Sequence, residues 1–264
     1  WRRAGKELAH RRRIEQELRR SHRKYRAIVD NVGIGITLID PEKVSPKSAA
    51  KIAREAEACQ TSAIMVGGST VVLTQHLDRV VKAIKREVKI PLILFPNNVT
   101  GISRYADAVW FMSLLNSTDP YYLTGAQVLG APLVKKFGLE AIPMGYIIVG
   151  YGGAAGVIGK ACPIPFNKPE LAVAHALAAQ YLGMRFVYLE AGSGSASPVP
   201  PEMVRMVKEA IDIPLIVGGG IKTEEQARAL VSAGADIIVT GTVAEDPTTR
   251  SRIKRLIECI RGGT

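Results

Sequence analysis

Eight short apolar runs recur along this chain, separated by amphipathic stretches, and no other feature limits its fold as strongly. Short continuous runs rich in Ile, Val and Leu read as strands buried on both faces, the condition of a parallel sheet covered by helices. The runs are Ile36–Ile39, Ala63–Val66, Leu92–Phe95, Ala108–Met112, Glu140–Ile147, Phe186–Glu190, Leu215–Val217 and Ile237–Thr240. Helices are expected over Pro46–Cys59, Leu77–Glu87, Pro169–Leu182, Pro201–Ala210, Glu224–Ala233 and Thr248–Arg261. Several of them open on Pro or Thr, as helix N-termini favour. Eight alternations without a long unstructured insert predict an α/β fold closed into a (β/α)8 TIM barrel, with an open doubly wound sheet as the alternative. The 264 residues suit one such barrel of about 250 residues and leave no space for a second full-sized domain.

The barrel is expected to occupy residues 34–264, behind a basic helical arm over residues 1–33. From Trp1 to Asp30 the chain carries 11 Lys and Arg against 4 Asp and Glu, a net +7 that leaves only +4 of the total +11 for the body. The basicity therefore belongs to the arm, and nucleic acid is not an expected partner of the barrel. Ala, Leu, Glu and Arg dominate residues 1 to 27, with Leu8, Ile14, Leu18 and Tyr25 loosely at helical spacing. The words "RRRIEQELRRSHRKYRAIVDNVGIGI" resemble the linker helix and opening residues of PAS sensor domains, but the residues after Ile36 do not supply the remaining strands of that domain. The arm reads as a solvated helix, as a signalling or interaction element, or as a peripheral contact with anionic lipid.

The longest uncharged stretch, Ala141–Gly159, contains six glycines and reads as a strand entering a Gly-rich loop rather than a membrane span. The charged N-terminal segment has no cleavable-signal pattern, so the cytoplasm is the expected location. Cys59, Cys162 and Cys259 are odd in number and widely spaced, which fits reduced structural thiols better than a disulfide framework or a zinc site.

Chemistry is expected where barrel strands run out into their following loops. Gly218, Gly219 and Gly220 follow the seventh run, and Gly241 and Thr242 follow the eighth. Such turns expose backbone N–H groups without side-chain obstruction, and the loops after strands 7 and 8 form the usual phosphate site of this fold; tight turning alone is the other use of these glycines. In "FVYLEAGSG", Tyr188 and Glu190 share one face of a strand, with Glu190 at its exit. A carboxylate there can hold a substrate hydroxyl and take its proton, or can pair with a barrel cation instead. Asp40 ends the first strand in "GITLIDPEK" and Ser69 follows the second in "IMVGGST". Together they offer a partial Mg²⁺ shell of the kind completed by water and a substrate diphosphate; separately they read as turn residues.

The segments "LIDPEK", "VGGST", "ILFPNNVTGISRYADAVWFMSLLNSTDPYY", "GAQVLGAPLVKKFGLEAIPMGYIIV", "NKPELAVAHALAAQYLGMRFVYLEAGSG", "IVGGGIK" and "VTGTV" together resemble the geranylgeranylglyceryl phosphate synthase family, in its larger, archaeal-type subgroup. The resemblance runs in order from about Thr37 to the C-terminus. It implies a Mg²⁺-dependent prenyltransferase of ether-lipid biosynthesis that joins geranylgeranyl diphosphate to sn-glycerol 1-phosphate. It implies Asp40 and Ser69 as the Mg²⁺ ligands. It implies that Tyr188, Leu189, Glu190, Ala191, Gly192, Ser193 and Gly194, with Gly218, Gly219, Gly241 and Thr242, hold glycerol 1-phosphate. It also implies a homo-oligomer, a dimer or hexamer. Glu190, supported by Tyr188, is expected to be catalytic. A related subgroup carries a substrate-binding Lys two residues before the metal Asp; Leu38 stands there in this chain. A prenyl tail needs an apolar groove, for which the span Val109–Leu133, with Trp110, Phe111, Met112, Leu114, Leu115, Tyr121 and Tyr122, is the candidate lining. Another phosphate-binding barrel, such as one of amino-acid biosynthesis, would share the late glycine turns but not the combination of Asp40, Ser69 and Glu190.

Overall fold

The structure, a computed structural model, describes residues 34–70, 73–241 and 249–262. The expected arm over residues 1–33 lies outside the described residues. Eight strands run parallel and close on themselves in chain order: β1 (Ile34–Ile39), β2 (Ala63–Val66), β3 (Leu92–Leu94), β4 (Ala108–Leu114), β5 (Glu140–Ile148), β6 (Phe186–Glu190), β7 (Leu215–Gly218) and β8 (Ile237–Thr240). The closing pair is β1 with β8, where Ile36 faces Val239. An open sheet is thereby excluded.

Alternation along each strand sorts the side chains between two cores. In β6, Val187 and Leu189 point out into the shell shared with the helices, while Phe186, Tyr188 and Glu190 share the opposite, inward face. The barrel interior is filled rather than hollow: Trp110 meets Phe186 edge to face at 5.2 Å and directs its indole N–H at the Met65 sulfur. The helices that cover the outside are α1 (Pro46–Ala58), α2 (Thr74–Glu87), α3 (Ala126–Phe137), α4 (Gly153–Ile158), α5 (Pro169–Tyr181), α6 (Pro201–Ala210), α7 (Glu224–Ser232) and α8 (Thr249–Arg261). Local chemistry starts them as expected. Ser45 caps α1 ahead of Pro46, and Thr223 with Gln226 forms a reciprocal capping box on α7.

Two ion pairs fix the strand starts at the N-terminal rim of the barrel. Lys85, in the last turn of α2, reaches Asp107 at 2.8 Å, and Asp107 also accepts the Leu92 N–H at the start of β3. Lys208, Asp236 and the Leu215 N–H repeat the arrangement one half-barrel later, with both contacts at 2.7 Å. These pairs lie at the end of the barrel that serves stability rather than chemistry, and they hold neighbouring strands in register.

One connection lacks its helix. Between β3 and β4 the chain makes only the single 3-10 turn Val99–Gly101, so no helix covers the outer face of these strands there. In compensation α3, absent from the expected set, packs alongside after a π turn at Tyr121–Gly125. Pro132 inside α3 and Gly125 before it are helix-breaking signals, and tertiary packing overrides them. The uncharged stretch from Ala141 forms most of β5 and then a Gly-rich turn into α4, and no helix among the described residues is long and apolar enough to cross a membrane. Cys59, Cys162 and Cys259 form no disulfide with one another.

Candidate active site

Glu190 closes β6 and is 7% exposed. Its Oε1 accepts the Gly192 N–H at 2.7 Å, and the hydroxyls of Tyr188 and Tyr146 lie near enough to the carboxylate to favour its ionised form. Strand register brings the two tyrosines together, because Tyr146 of β5 is paired with Tyr188 of β6. Their rings meet edge to face at 5.2 Å, and Phe95 stacks on Tyr188 at 5.7 Å. Burial pushes the Glu190 carboxyl above its ordinary range, and the three donors, Gly192 first, pull it partly back. Burial and then the neighbouring carboxylate raise both phenols well above their usual range, so they remain protonated and act as donors. The barrel-cation alternative for Glu190 is replaced by this neutral, hydrogen-bonded setting.

The turn after β7 lies directly against this group. A Cβ at Gly218 would stand 2.1 Å from the Tyr188 hydroxyl, and one at Gly219, where φ is +84°, would stand 2.4 Å from Glu190 Oε1. Gly192 is locked equally closely against the backbone of Gly152 and Gly153. Only glycine backbone can fill these positions, so the turns after β5, β6 and β7 form one side-chain-free floor around the carboxylate. Gly241 follows β8 and packs against Leu38. Leu38 thus lies beside the turn after β8. Ala191 and Gly192 are buried, Ser193 and Gly194 exposed, and Leu189 turns its side chain away into the helix-facing shell. Thr242 lies outside the described residues.

Asp40 and the turn that carries Ser69 come together where β1 and β2 end. The Ser69 turn abuts the carboxylate, since a Cβ at Gly68 would stand 2.6 Å from Asp40 Oδ1. Asp40 Oδ1 accepts the Glu42 N–H at 3.0 Å, and its Oδ2 has Lys43 at 3.9 Å. Glu42 is a second carboxylate here that the sequence pattern did not single out; it accepts the Thr70 hydroxyl, next to Ser69. Partial burial and then the Asp40 charge push Glu42 upward, with His76 opposing. No cluster of three or more His, Cys, Asp or Glu is present among the described residues. An oxygen-only set of one carboxylate and one hydroxyl, open to solvent, fits Mg²⁺, which keeps waters and shares substrate phosphates, and does not fit zinc.

An apolar groove is lined by Gly68 and Ser69, by Phe95 and Tyr146, which contact Tyr188, and by residues of the β3–β4 connection, β4, α3 and α4. Of the expected lining, Val109, Trp110, Phe111, Met112, Leu114 and Tyr122 take part, and Leu115 and Tyr121 do not. Ala126, Gln127 and Gly130, inside the expected span, also line it, and Ile102 and Val134 are liners outside that span.

A profile described as the PcrB family matches residues 28–260. The chain belongs to the PcrB family. Similar relatives of this PcrB chain include the geranylgeranylglyceryl phosphate synthases of Thermofilum pendens, 55% identical over 89% of this chain and 92% of the relative, and of Pyrococcus abyssi, 60% identical over 86% and 90%. Among solved structures, the (S)-3-O-geranylgeranylglyceryl phosphate synthase of Thermoplasma acidophilum, in complex with its substrate sn-glycerol-1-phosphate, superposes with a TM-score of 0.87 at 43% identity, over 92% of this chain and 98% of that one.

Proposed function

We propose that this PcrB chain is a prenyltransferase joining geranylgeranyl diphosphate to sn-glycerol 1-phosphate through an ether bond. The observation that carries the reading is a buried carboxylate in a glycine floor, held by the Gly192 N–H and neighboured by Tyr146 and Tyr188, with Tyr146 and Phe95 of the same group also lining an apolar groove that reaches Gly68 and Ser69. The similarity to the named synthases, and the glycerol phosphate in the Thermoplasma acidophilum structure, support the same acceptor.

The glycine turns after β7 and β8 hold the acceptor phosphate on backbone N–H groups. That anchor places the acceptor hydroxyl at Glu190, which removes its proton as the oxygen attacks C1 of the prenyl chain. The new C–O bond forms as the allylic C1–O bond breaks, and diphosphate leaves with the electron pair. Tyr146 and Tyr188 keep the carboxylate aimed and ionised, and Phe95 covers them from water. Asp40 and Ser69 would hold Mg²⁺, and the ion would supply positive charge to offset that of the departing diphosphate. Incubating the chain with both substrates and Mg²⁺ should yield the prenyl ether of glycerol phosphate, and Asp40→Asn should require a higher Mg²⁺ concentration for half-maximal rate. Absence of the ether, or an unchanged Mg²⁺ titration, contradicts the corresponding assignment.

The base is active when deprotonated, so the rate falls as pH drops through the Glu190 pKa, which burial has raised. Tyr146→Phe removes a donor that favours the ionised form. Its acid limb in kcat/KM against pH should therefore move to higher pH than that of the unaltered chain; an unmoved limb would show that Tyr146 does not tune the base.

A further inference from the structure

After β5 the chain makes an excursion over residues 149–164 that carries α4. It leaves at Val149, whose N–H binds the Glu190 carbonyl at 2.9 Å, and returns at Ile164, which bridges back to Val149. This one segment borders both substrate regions. Gly152 and Gly153 lie against Gly192, whose N–H donates to the Glu190 carboxylate, while Ala155, Ile158 and Gly159 line the apolar groove. Little in the excursion holds itself in place. Helix α4 has six residues, too few to be stable alone. Gly150, Gly152 and Gly153 before or at its start and Lys160 after it are all left-handed, and for Lys160, at φ +48°, that conformation persists only where the surroundings impose it.

The buried anchor is Asn116, 7% exposed and just past the end of β4. Its Nδ2 donates to the Ile148 and Cys162 carbonyls, both at 2.8 Å, and its Oδ1 accepts the Ile148 N–H at 3.0 Å. One amide thus grips the last residue of β5 and the far limb of the excursion. The other side-chain ties, Ser117 to Gly159 and Thr118 and Asp119 to Lys160, lie nearer the surface, where an ion pair contributes little. Resting on the prenyl-transfer reading above, we propose that Asn116 is a positioning residue that serves both substrates at once, by fixing the α4 excursion against the Gly192 turn on one side and along the prenyl groove on the other. It does not line the groove and acts through the segment it grips.

Asn116→Ala removes all three bonds. Two measurements on the Mg²⁺-loaded protein test the proposal: calorimetric titration with geranylgeranyl diphosphate, and kcat/KM for sn-glycerol 1-phosphate against pH. A thermal melt establishes folding, and Gly183→Ala, strained at φ +80° before the start of β6, serves as a destabilised control away from the site. The Gly192 N–H favours the ionised form of Glu190, so loosening its turn raises the Glu190 pKa and moves the acid limb to higher pH. The titratable groups that face Glu190 are the Tyr146 and Tyr188 phenols, which stay protonated through this range, so the limb reports Glu190 and the N–H that it accepts. Asn116→Ala should lower kcat/KM by about 10- to 100-fold, weaken donor binding and shift the limb upward, and Gly183→Ala should do none of these. If Asn116→Ala does not fold, Asn116→Ser, which keeps one hydroxyl at the position, is read against the same outcomes. Donor affinity and acid limb both matching the unaltered chain, or a change in only one of them, overturns the proposal. If the unaltered chain forms no prenyl ether, the underlying reading falls, and the inference with it. If it forms the ether and the two readouts do not move together in the variant, the reading stands and Asn116 alone is refuted.

Discussion

Glu190→Gln is expected to lower kcat for prenyl transfer by about 100- to 10,000-fold, the range a positioned general base contributes. The amide keeps the shape of the side chain and its Oε1 still accepts the Gly192 N–H, so the chain should fold and bind both substrates nearly as before. Steady-state kinetics with a thermal melt as control separates the two effects. Turnover at the rate of the unaltered chain would remove Glu190 as the base, whatever the fate of the rest of the site.

Gly219→Ala should be nearly as damaging, by a different route. At φ +84° an L-residue is strained by about 1–3 kcal/mol, and its Cβ would fall 2.4 Å from Glu190 Oε1 and 2.6 Å from the Gly192 nitrogen. These are backbone and carboxylate atoms with nowhere to turn, so the base and the phosphate floor must move apart. A displacement of that order costs about 100-fold in kcat/KM when geometry controls the reaction. Gly183→Ala provides the comparison, because Gly183 has φ +80° with nothing within 4 Å of the added atom. It should lose stability and keep activity. Equal activity losses in the two variants would mean that strain, and not crowding of Glu190, is responsible.

Much of the barrel was legible because buried parallel strands write themselves as uninterrupted β-branched runs. The limits of β2, β6 and β8 agree with those expected from the sequence, residue for residue. The missing helix after β3 and the presence of α3 were not legible. Pro132 and Gly130 argue locally against a helix that exists because it walls a groove, and no local pattern states that a connection will skip its helix. At the site, Glu190, Asp40 and Ser69 stood out through their place at strand exits. Tyr146 did not, since its meeting with Glu190 depends on the register of β5 against β6, a relation between segments far apart in the chain. Gly219 was read as an amide donor, while its second property, direct contact with Glu190, appears only once three loops are packed together.

The proposed mechanism puts phosphate anchoring and proton removal in one chamber, and a crystal structure of the protein soaked with sn-glycerol 1-phosphate tests that directly. The phosphate should lie on the backbone N–H groups of the turns after β7 and β8, with a free acceptor hydroxyl within hydrogen-bond distance of Glu190. A phosphate bound elsewhere, or one bound at these turns with the hydroxyls pointing away from Glu190, would contradict it.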